Sequence, residues 1–386
     1  MKGFGIAILF MSASFSVLAN DPDLARHLTR IEQLLSNEQY KDASNLAKAL
    51  VPDNDEQKAL HQRLLGFIYL QDGDLDRASL AYTNALKYRK LPPSLRQDAL
   101  GALVSISMKR DRPDVAVRYG HLYLEEFPPF QPVEQLYTRA LFAEQYYDRA
   151  LKQANAVIAR YADAPEFMWQ IKALSEEQLF QDRALINTTR NIQQRYGNDI
   201  RWQRKQAGAY ARLGQLRQSL RLYQEAKEQG MALTGQDYLD MAHISAQLGK
   251  ASQAAQWLSQ GVTEDAALND RETQKRQLQY QMQASLWRDA WVTAEQLNQE
   301  PELSLLKAQC RIASQLQQWP DAAELAQRAI AMGGEDDPFL WEILGYSAMK
   351  TNQFDVARHA YETLKRLEPE GDADVWLKTL ELLTTE

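Results

Sequence analysis

The chain has 386 residues, 45% of them hydrophobic and 25% charged, with 51 acidic against 44 basic side chains and a formal net charge of −7. An acidic balance of this kind disfavours nucleic acid and anionic membrane surfaces as general partners. Cys310 is the only cysteine, so an internal disulfide is excluded.

Residues 1–19 differ from everything that follows. Lys2 gives a short positive start, Gly3 to Leu18 is apolar apart from three serines, and Val17-Leu18-Ala19 precedes Asn20-Asp21-Pro22. This layout predicts a secretory signal peptide cut after Ala19 and a periplasmic destination. Asn20 stands where a lipoprotein cleavage site would need cysteine. The apolar run is short for a membrane span, and no later segment comes near spanning length.

From residue 20 onward a pattern recurs about every 34 to 36 residues. Its clearest copies are Leu65-Gly66-x2-Tyr69-x3-Gly73-x4-Ala78-x3-Tyr82-x2-Ala85 and Trp341-x2-Leu344-Gly345-x11-Ala357-x3-Tyr361-x7-Pro369. Two helices folded into a hairpin need small side chains where they cross. Gly66, Ala207, Ala242 and Gly345 supply them at position 8 of the first helix. Ala43, Ala78, Ala116, Ala150, Ala184, Ala254, Ala290, Ala322 and Ala357 supply them at position 20, on the second. Bulky residues at positions 4, 11 and 24, such as Trp341, Tyr69, Tyr210, Tyr82, Tyr223 and Tyr361, fill the space beside the crossing. Gly73, Gly214 and Gly249 at position 15 provide the positive φ of a tight turn. Pro52, Pro128 and Pro369 fall where the second helix must stop.

Anchoring on the position-20 alanines places repeat starts near Leu24, Ala59, Gln97, Gln131, Pro165, Ile200, Gly235, Arg271, Leu303 and Pro338. Copies two, six, seven and ten are well formed; the other six are degenerate. No Gly/Ser linker or low-complexity tract interrupts them. The end, Asp372 to Glu386, reads as one further amphipathic helix with Val375, Trp376, Leu380 and Leu383 on its apolar side.

This spacing, with its small residues at positions 8 and 20 and its aromatics at position 24, resembles the tetratricopeptide repeat (TPR). The resemblance covers nearly the whole chain after residue 19. It implies an all-α, right-handed superhelical solenoid of about ten TPR-like helical hairpins over 20–371, with a capping helix over 372–386. A solenoid grows by adding neighbours, so the size limit of a single core does not apply. The resemblance also implies a scaffold for protein partners, without catalysis or cofactor.

The residues themselves offer little chemistry. His27, His61, His121, His243 and His359 are scattered, with no i, i+4 pair and no neighbouring cysteine to suggest a metal site. No phosphate-binding glycine loop and no nucleophile elbow occur. Glu125-Glu126, Glu176-Glu177 and Glu335-Asp336-Asp337 read as solvated charge. Cys310 falls at the crossing position of copy nine and reads as a buried packing residue.

One stretch departs from the acidic background. Between Arg190 and Arg221 lie Arg190, Arg195, Arg201, Arg204, Lys205, Arg212, Arg217 and Arg221, against Asp199 alone. In TPR proteins positions 2, 5, 9, 12 and 13 of the first helix line the concave groove. In copy six these are Arg201, Arg204, Gly208, Ala211 and Arg212, with Lys205 beside them and Trp169 and Trp202 next to groove positions. Arg201, Arg204, Lys205, Arg212, Trp169 and Trp202 are therefore the candidate partner-binding residues, suited to an acidic extended segment of an envelope complex. Trp257, Trp287, Trp291 and Trp319 read mainly as core between repeats.

The overall layout is also similar to Gram-negative periplasmic TPR proteins described as accessory components of TonB-type energy-transduction systems. The competing roles are a scaffold for exopolysaccharide export or envelope assembly, and a glycan- or peptidoglycan-binding protein.

Overall fold

The computed structural model describes residues 22–89, 91–297 and 302–384, so the expected signal peptide lies outside the described residues. Among the described residues there are 21 α-helices and no strand. Ten hairpins follow one another. The first five are α1 (Pro22–Ser36) with α2 (Tyr40–Ala49), α3 (Asp55–Gln71) with α4 (Leu75–Leu86), α5 (Pro93–Lys109) with α6 (Pro113–Glu126), α7 (Gln131–Ala143) with α8 (Tyr147–Arg160), and α9 (Glu166–Gln178) with α10 (Asp182–Tyr196). The next five are α11 (Ile200–Arg212) with α12 (Leu216–Glu228), α13 (Gly235–Gln247) with α14 (Ala251–Glu264), α15 (Arg271–Gln283) with α16 (Trp287–Leu297), α17 (Leu303–Gln315) with α18 (Trp319–Ala329), and α19 (Pro338–Lys350) with α20 (Phe354–Leu367). A last helix, α21 (Ala373–Thr384), follows hairpin ten. The chain divides into two compact units, Met1–Gly197 with hairpins one to five and Asn198–Glu386 with the rest.

The turn inside each hairpin is built the same way. One residue takes positive φ, between 54° and 80°: Glu38, Gly73, Asp111, Gln145, Phe180, Gly214, Gly249, Ser285, Gln317 and Asn352. The residue after it donates its N–H to the carbonyl five residues back, as Asp74 does to Tyr69 and Gln181 to Glu176, each at 2.8 Å. That bond closes the first helix and aims the second. Only three of the ten turns use glycine. The other seven hold a side chain in the left-handed region because the closing bond and the packing on both sides over-determine the turn.

The fourth residue of every second helix is fully buried: Ala43, Ala78, Ala116, Ala150, Leu185, Ser219, Ala254, Ala290, Ala322 and Ala357. In hairpin five the buried residue is Leu185, not the expected Ala184, which is only half-buried. The turn at Phe180 sets this register, and it moves every position of that copy by one.

Positions 8 and 24 explain the degenerate copies. In hairpin two a Cβ built on Gly66 would come within 2.9 Å of the Tyr82 ring, and in hairpin ten a Cβ on Gly345 would meet Tyr361 at the same distance. The well-formed copies thus put the small residue on the first helix: Gly66 with Tyr82, Ala207 with Tyr223, Ala242 with Leu258, Gly345 with Tyr361. Several degenerate copies reverse it: Ile31 with Ala47, Val104 with Gly120, Thr138 with Ala154, Leu278 with Ala294, Cys310 with Ala326. All of these residues are buried. The small partner of the crossing has changed helices, an exchange that a close-packed interior tolerates better than simple loss or excess of volume.

The terminal helix α21 is turned relative to expectation. Ala373 and Leu380 are buried, and the Trp376 indole stacks on Tyr361 with ring centroids 5.9 Å apart and meets Tyr346 edge-on at 5.5 Å. Val375 and Leu383, expected on the buried side, are 61% and 48% exposed. The helix covers hairpin ten through the Ala373, Trp376, Leu377 and Leu380 side.

Candidate partner-binding groove

The structure gives the predicted basic residues individual roles. Asp199 caps α11, accepting from the Arg201 N–H at 2.8 Å, and its carboxylate also receives the Arg201 guanidinium at 2.6 Å. Arg204 donates a two-pronged pair of bonds to Asp237, Nε to Oδ1 at 2.7 Å and Nη2 to Oδ2 at 2.6 Å. Asp237 is 2% exposed and completes a capping box at the start of α13, accepting from the Thr234 N–H at 2.6 Å. Burial raises the Asp237 pKa, but the Arg204 and Thr234 hydrogen bonds outweigh it and hold the carboxyl below its usual range. Arg221 pairs with Glu225 at 2.7 Å. Arg212 is exposed, with one guanidinium nitrogen over Gly208, and Lys205 is half-buried.

The two indoles are core residues. Trp202 is 4% exposed and Trp169 9%, which leaves little ring surface for a partner. Trp169 follows from the one-residue shift in hairpin five: counted from Glu166 it occupies position 4, the packing position that Trp341 holds in hairpin ten. The Arg195 guanidinium lies 4.8 Å from its ring centroid. Trp169 belongs to the first unit and the other five candidates to the second.

The Arg204–Asp237 bond is one instance of a repeated device. A cation at position 5 of a first helix reaches an acid at the start of the next first helix, Lys275 to Glu302 at 3.1 Å and Lys307 to Asp337 at 2.5 Å, and Arg63 makes the same reach to Asp98, one turn further into α5, at 2.6 Å. An acid is favoured there by the helix dipole and by the unpaired N–H groups of the first turn. The previous repeat then neutralises it. Basic residues at this position therefore join repeats rather than await a ligand.

Two of the acidic pairs expected to be solvated are also engaged. Asp337 caps α19 as well as binding Lys307. Glu176 is 2% exposed; burial pushes its carboxyl above the usual range, against a Thr188 hydrogen bond and the Lys172 ammonium 3.9 Å away.

An opening does exist on the exposed side of first helices, two copies beyond the basic cluster. A notch of about 430 Å³ is lined by Lys275, Leu278, Gln279, Met282, Gln283 and Trp287 of hairpin eight and Ser304, Leu305, Ala308 and Arg311 of hairpin nine. First helices α5 and α7 pack directly on one another, as do α7 with α9 and α17 with α19; α11 and α13, α13 and α15, and α15 and α17 hardly touch. From α17 the small Ser304 and Ala308 line it beside Leu305 and Arg311. Arg311 stands exposed at the rim with its guanidinium 5.2 Å from the Phe339 ring centroid. Lys275, by contrast, is held by Glu302 and by Glu272 at 3.5 Å. The signal for this notch was in the sequence. Lys275, Gln279, Met282 and Gln283 occupy positions 5, 9, 12 and 13 of copy eight, but net charge drew attention to copy six.

Two further facts bound the chemistry. Among the described residues no group of three or more His, Cys, Asp or Glu side chains could hold a metal ion, and no helix is long and apolar enough to cross a membrane. Cys310 is fully buried, and burial pushes its thiol up to about 12.

No protein-family profile and no curated protein sequence matches the chain. Solved structures do resemble it. One is a tetratricopeptide repeat protein from Parabacteroides merdae, 15% identical with a TM-score of 0.38, the match covering 67% of this chain and 98% of that one. Another is pilF of Pseudomonas aeruginosa, 16% identical with a TM-score of 0.36, covering 59% and 100%. Yeast Tom70 is 11% identical with a TM-score of 0.31, covering 92% and 95%. The all-α helical-repeat solenoid is read from the chain's own ten successive hairpins among the described residues.

Proposed function

We propose that the protein is a non-catalytic interaction scaffold of the tetratricopeptide type, and that the exposed side of α15 and α17 is where a partner protein docks. The observation that carries this reading is the notch itself. It is an apolar-lined opening held between two successive first helices of a repeated frame. Binding sites are typically concave, mostly apolar and furnished with a few polar groups at the edge. The expected leader supports a periplasmic location, and the general layout supports an accessory role in a TonB-type energy-transduction system. Exopolysaccharide export and glycan binding remain the competing roles.

A photo-cross-linking amino acid placed at Gln279, inside the notch, tests the docking site against the same probe at Gln218, on exposed α12. Cross-linking in living cells is expected to give a discrete partner band from Gln279 and none from Gln218. Equal labelling from both positions would remove the notch from consideration. Mass spectrometry of the protein recovered from the periplasm is expected to show Asn20 as the first residue. Intact Met1 on membrane-bound protein would overturn the location.

A further inference from the structure

We infer that the segment received by the notch between α15 and α17 presents one large apolar side chain next to an aspartate or glutamate; this rests on the scaffold reading above. The apolar half of the requirement follows from the lining. Leu278 and Leu305 are 5% exposed, and Met282, Ala308 and Trp287 are half-buried around them, so the opening offers contact to a hydrocarbon side chain and few groups to a polar one. Methionine and leucine adapt to differently shaped apolar guests, which suits a site that reads size rather than a fixed outline.

The acidic half follows from a contrast among three of the cations on α15 and α17, namely Lys275, Lys307 and Arg311. Lys275 is bound by Glu302 and Glu272, and Lys307 by Asp337. Among the described residues no carboxylate pairs with Arg311, whose guanidinium lies over Phe339. A ring beneath a guanidinium fixes its plane and leaves its N–H donors pointing outward, the arrangement that matches the two oxygens of a carboxylate. A basic segment would meet Arg311 and Lys275 as like charges. A sugar chain would need aromatic faces to stack on, and Trp287 is the one aromatic side chain lining the notch. The observations favour a peptide.

The probe is a phage-displayed library of random peptides, selected on the full protein without its leader and re-tested on two variants. Ala308→Trp fills the notch; Arg311→Glu reverses the charge at its exposed rim. Both variants are first checked by circular dichroism, and Arg311→Glu carries the test alone if the larger substitution unfolds hairpin nine. The expected result is enrichment of peptides pairing Leu, Ile, Met or Phe with a neighbouring Asp or Glu. Their binding is expected to fall about tenfold or more on Ala308→Trp, and Arg311→Glu to shift selection towards Lys and Arg. Enriched peptides that bind both variants as well as the parent would overturn the notch as the site and leave the scaffold reading standing. Enriched peptides without an acidic residue would overturn the chemistry proposed for Arg311. A library yielding no peptide above background would overturn both readings together.

Discussion

In hairpin ten the first helix carries glycine at the crossing and the second carries tyrosine; in hairpin eight the first carries leucine and the second alanine. The frame is the same, but the consequences diverge. Gly345 lets the Tyr361 ring come against α19, and Trp341, Leu344 and the Trp376 indole of α21 complete one continuous core around it. Leu278 instead helps line the notch, while Gln274 and Gln281 occupy positions where hairpin ten has Trp341 and Ala348. Gln277 and Gln281 each bury a side-chain oxygen without a hydrogen-bond partner. Reversing which helix carries the bulk conserves the crossing but changes what remains beside it. Hairpin ten is built to be closed, and hairpin eight to stay open on one side.

The largest expected effects come from breaking the two crossings. Leu278→Ala should destabilise by about 2–5 kcal/mol, since the removed volume leaves a cavity against Ala294. Gly345→Leu should cost about 1–3 kcal/mol or more through overpacking on Tyr361. If volume exchange is the governing rule, Gly345→Leu with Tyr361→Ala should be more stable than the two single losses sum to, by about 1 kcal/mol or more in a double-mutant cycle followed by urea unfolding. Strict additivity would sink the comparison.

Cys310 reports which hairpin has opened. Its thiol is fully buried in the core shared by hairpins nine and ten and is pushed up to about 12, so neutral-pH labelling needs opening of that core. Gly345→Leu is expected to speed labelling by a thiol reagent about tenfold or more, and Leu278→Ala to change it far less. The reverse ranking would show that hairpins eight and ten do not behave as separate neighbourhoods.

The junction between hairpins eight and nine should be sensitive to acid. Arg271 and then Lys275, through hydrogen bonds to Glu302, hold its carboxyl below the usual glutamate range. Its contribution is therefore complete above that range and is lost as pH falls through the lowered value. Amide protection in α15, corrected for the slower intrinsic exchange in acid, should fall on acidification below the glutamate range. Glu302→Gln should already show the lower protection at neutral pH and respond less to acid. An α15 that exchanges identically in both proteins at every pH would deny the junction this role.

The smallest effects belong to the turns. Ser285 and Asn352 hold φ of 57° and 59° in hairpins eight and ten. Ser285→Gly should stabilise by up to about 1 kcal/mol, because relief of the left-handed strain outweighs the added freedom of the unfolded chain. Asn352→Gly should be near neutral, since asparagine visits that region more easily. Thermal melts that rank the two the other way would show that the turn is not strained at Ser285.

The hairpins themselves were legible because alanine at position 20 is a local and nearly invariant demand of the crossing within this chain. Hairpin five slipped by one residue since Phe180, a bulky side chain, holds its left-handed turn and no glycine marks the position. The same slip made Trp169 look like a groove residue. Degenerate copies looked weak because position 8 was judged alone, whereas the packing constrains it jointly with position 24. The basic cluster misled for a different reason. Its charge is visible in one dimension, but Asp237, the partner of Arg204, lies 33 residues away on the next first helix. The notch escaped notice since its lining positions in copy eight carry mostly uncharged side chains, Gln279, Met282 and Gln283, which stand out less than a run of arginines.

The tie from Arg204 to Asp237 also bears on how such an array can be rearranged by recombination. A repeat protein whose units were interchangeable could lose or duplicate any one of them at the cost of length alone. Here, excising residues 200–234 would leave the copy beginning at Gly235 preceded by one that has Gln170 where Arg204 stood. Asp237 would then be a buried carboxylate without its guanidinium, a defect of about 3–5 kcal/mol where such pairs have been broken. Gene-level reshuffling of these copies is accordingly constrained to blocks that carry both the cation and its acid, so the order of units in this chain is itself an inherited structural property.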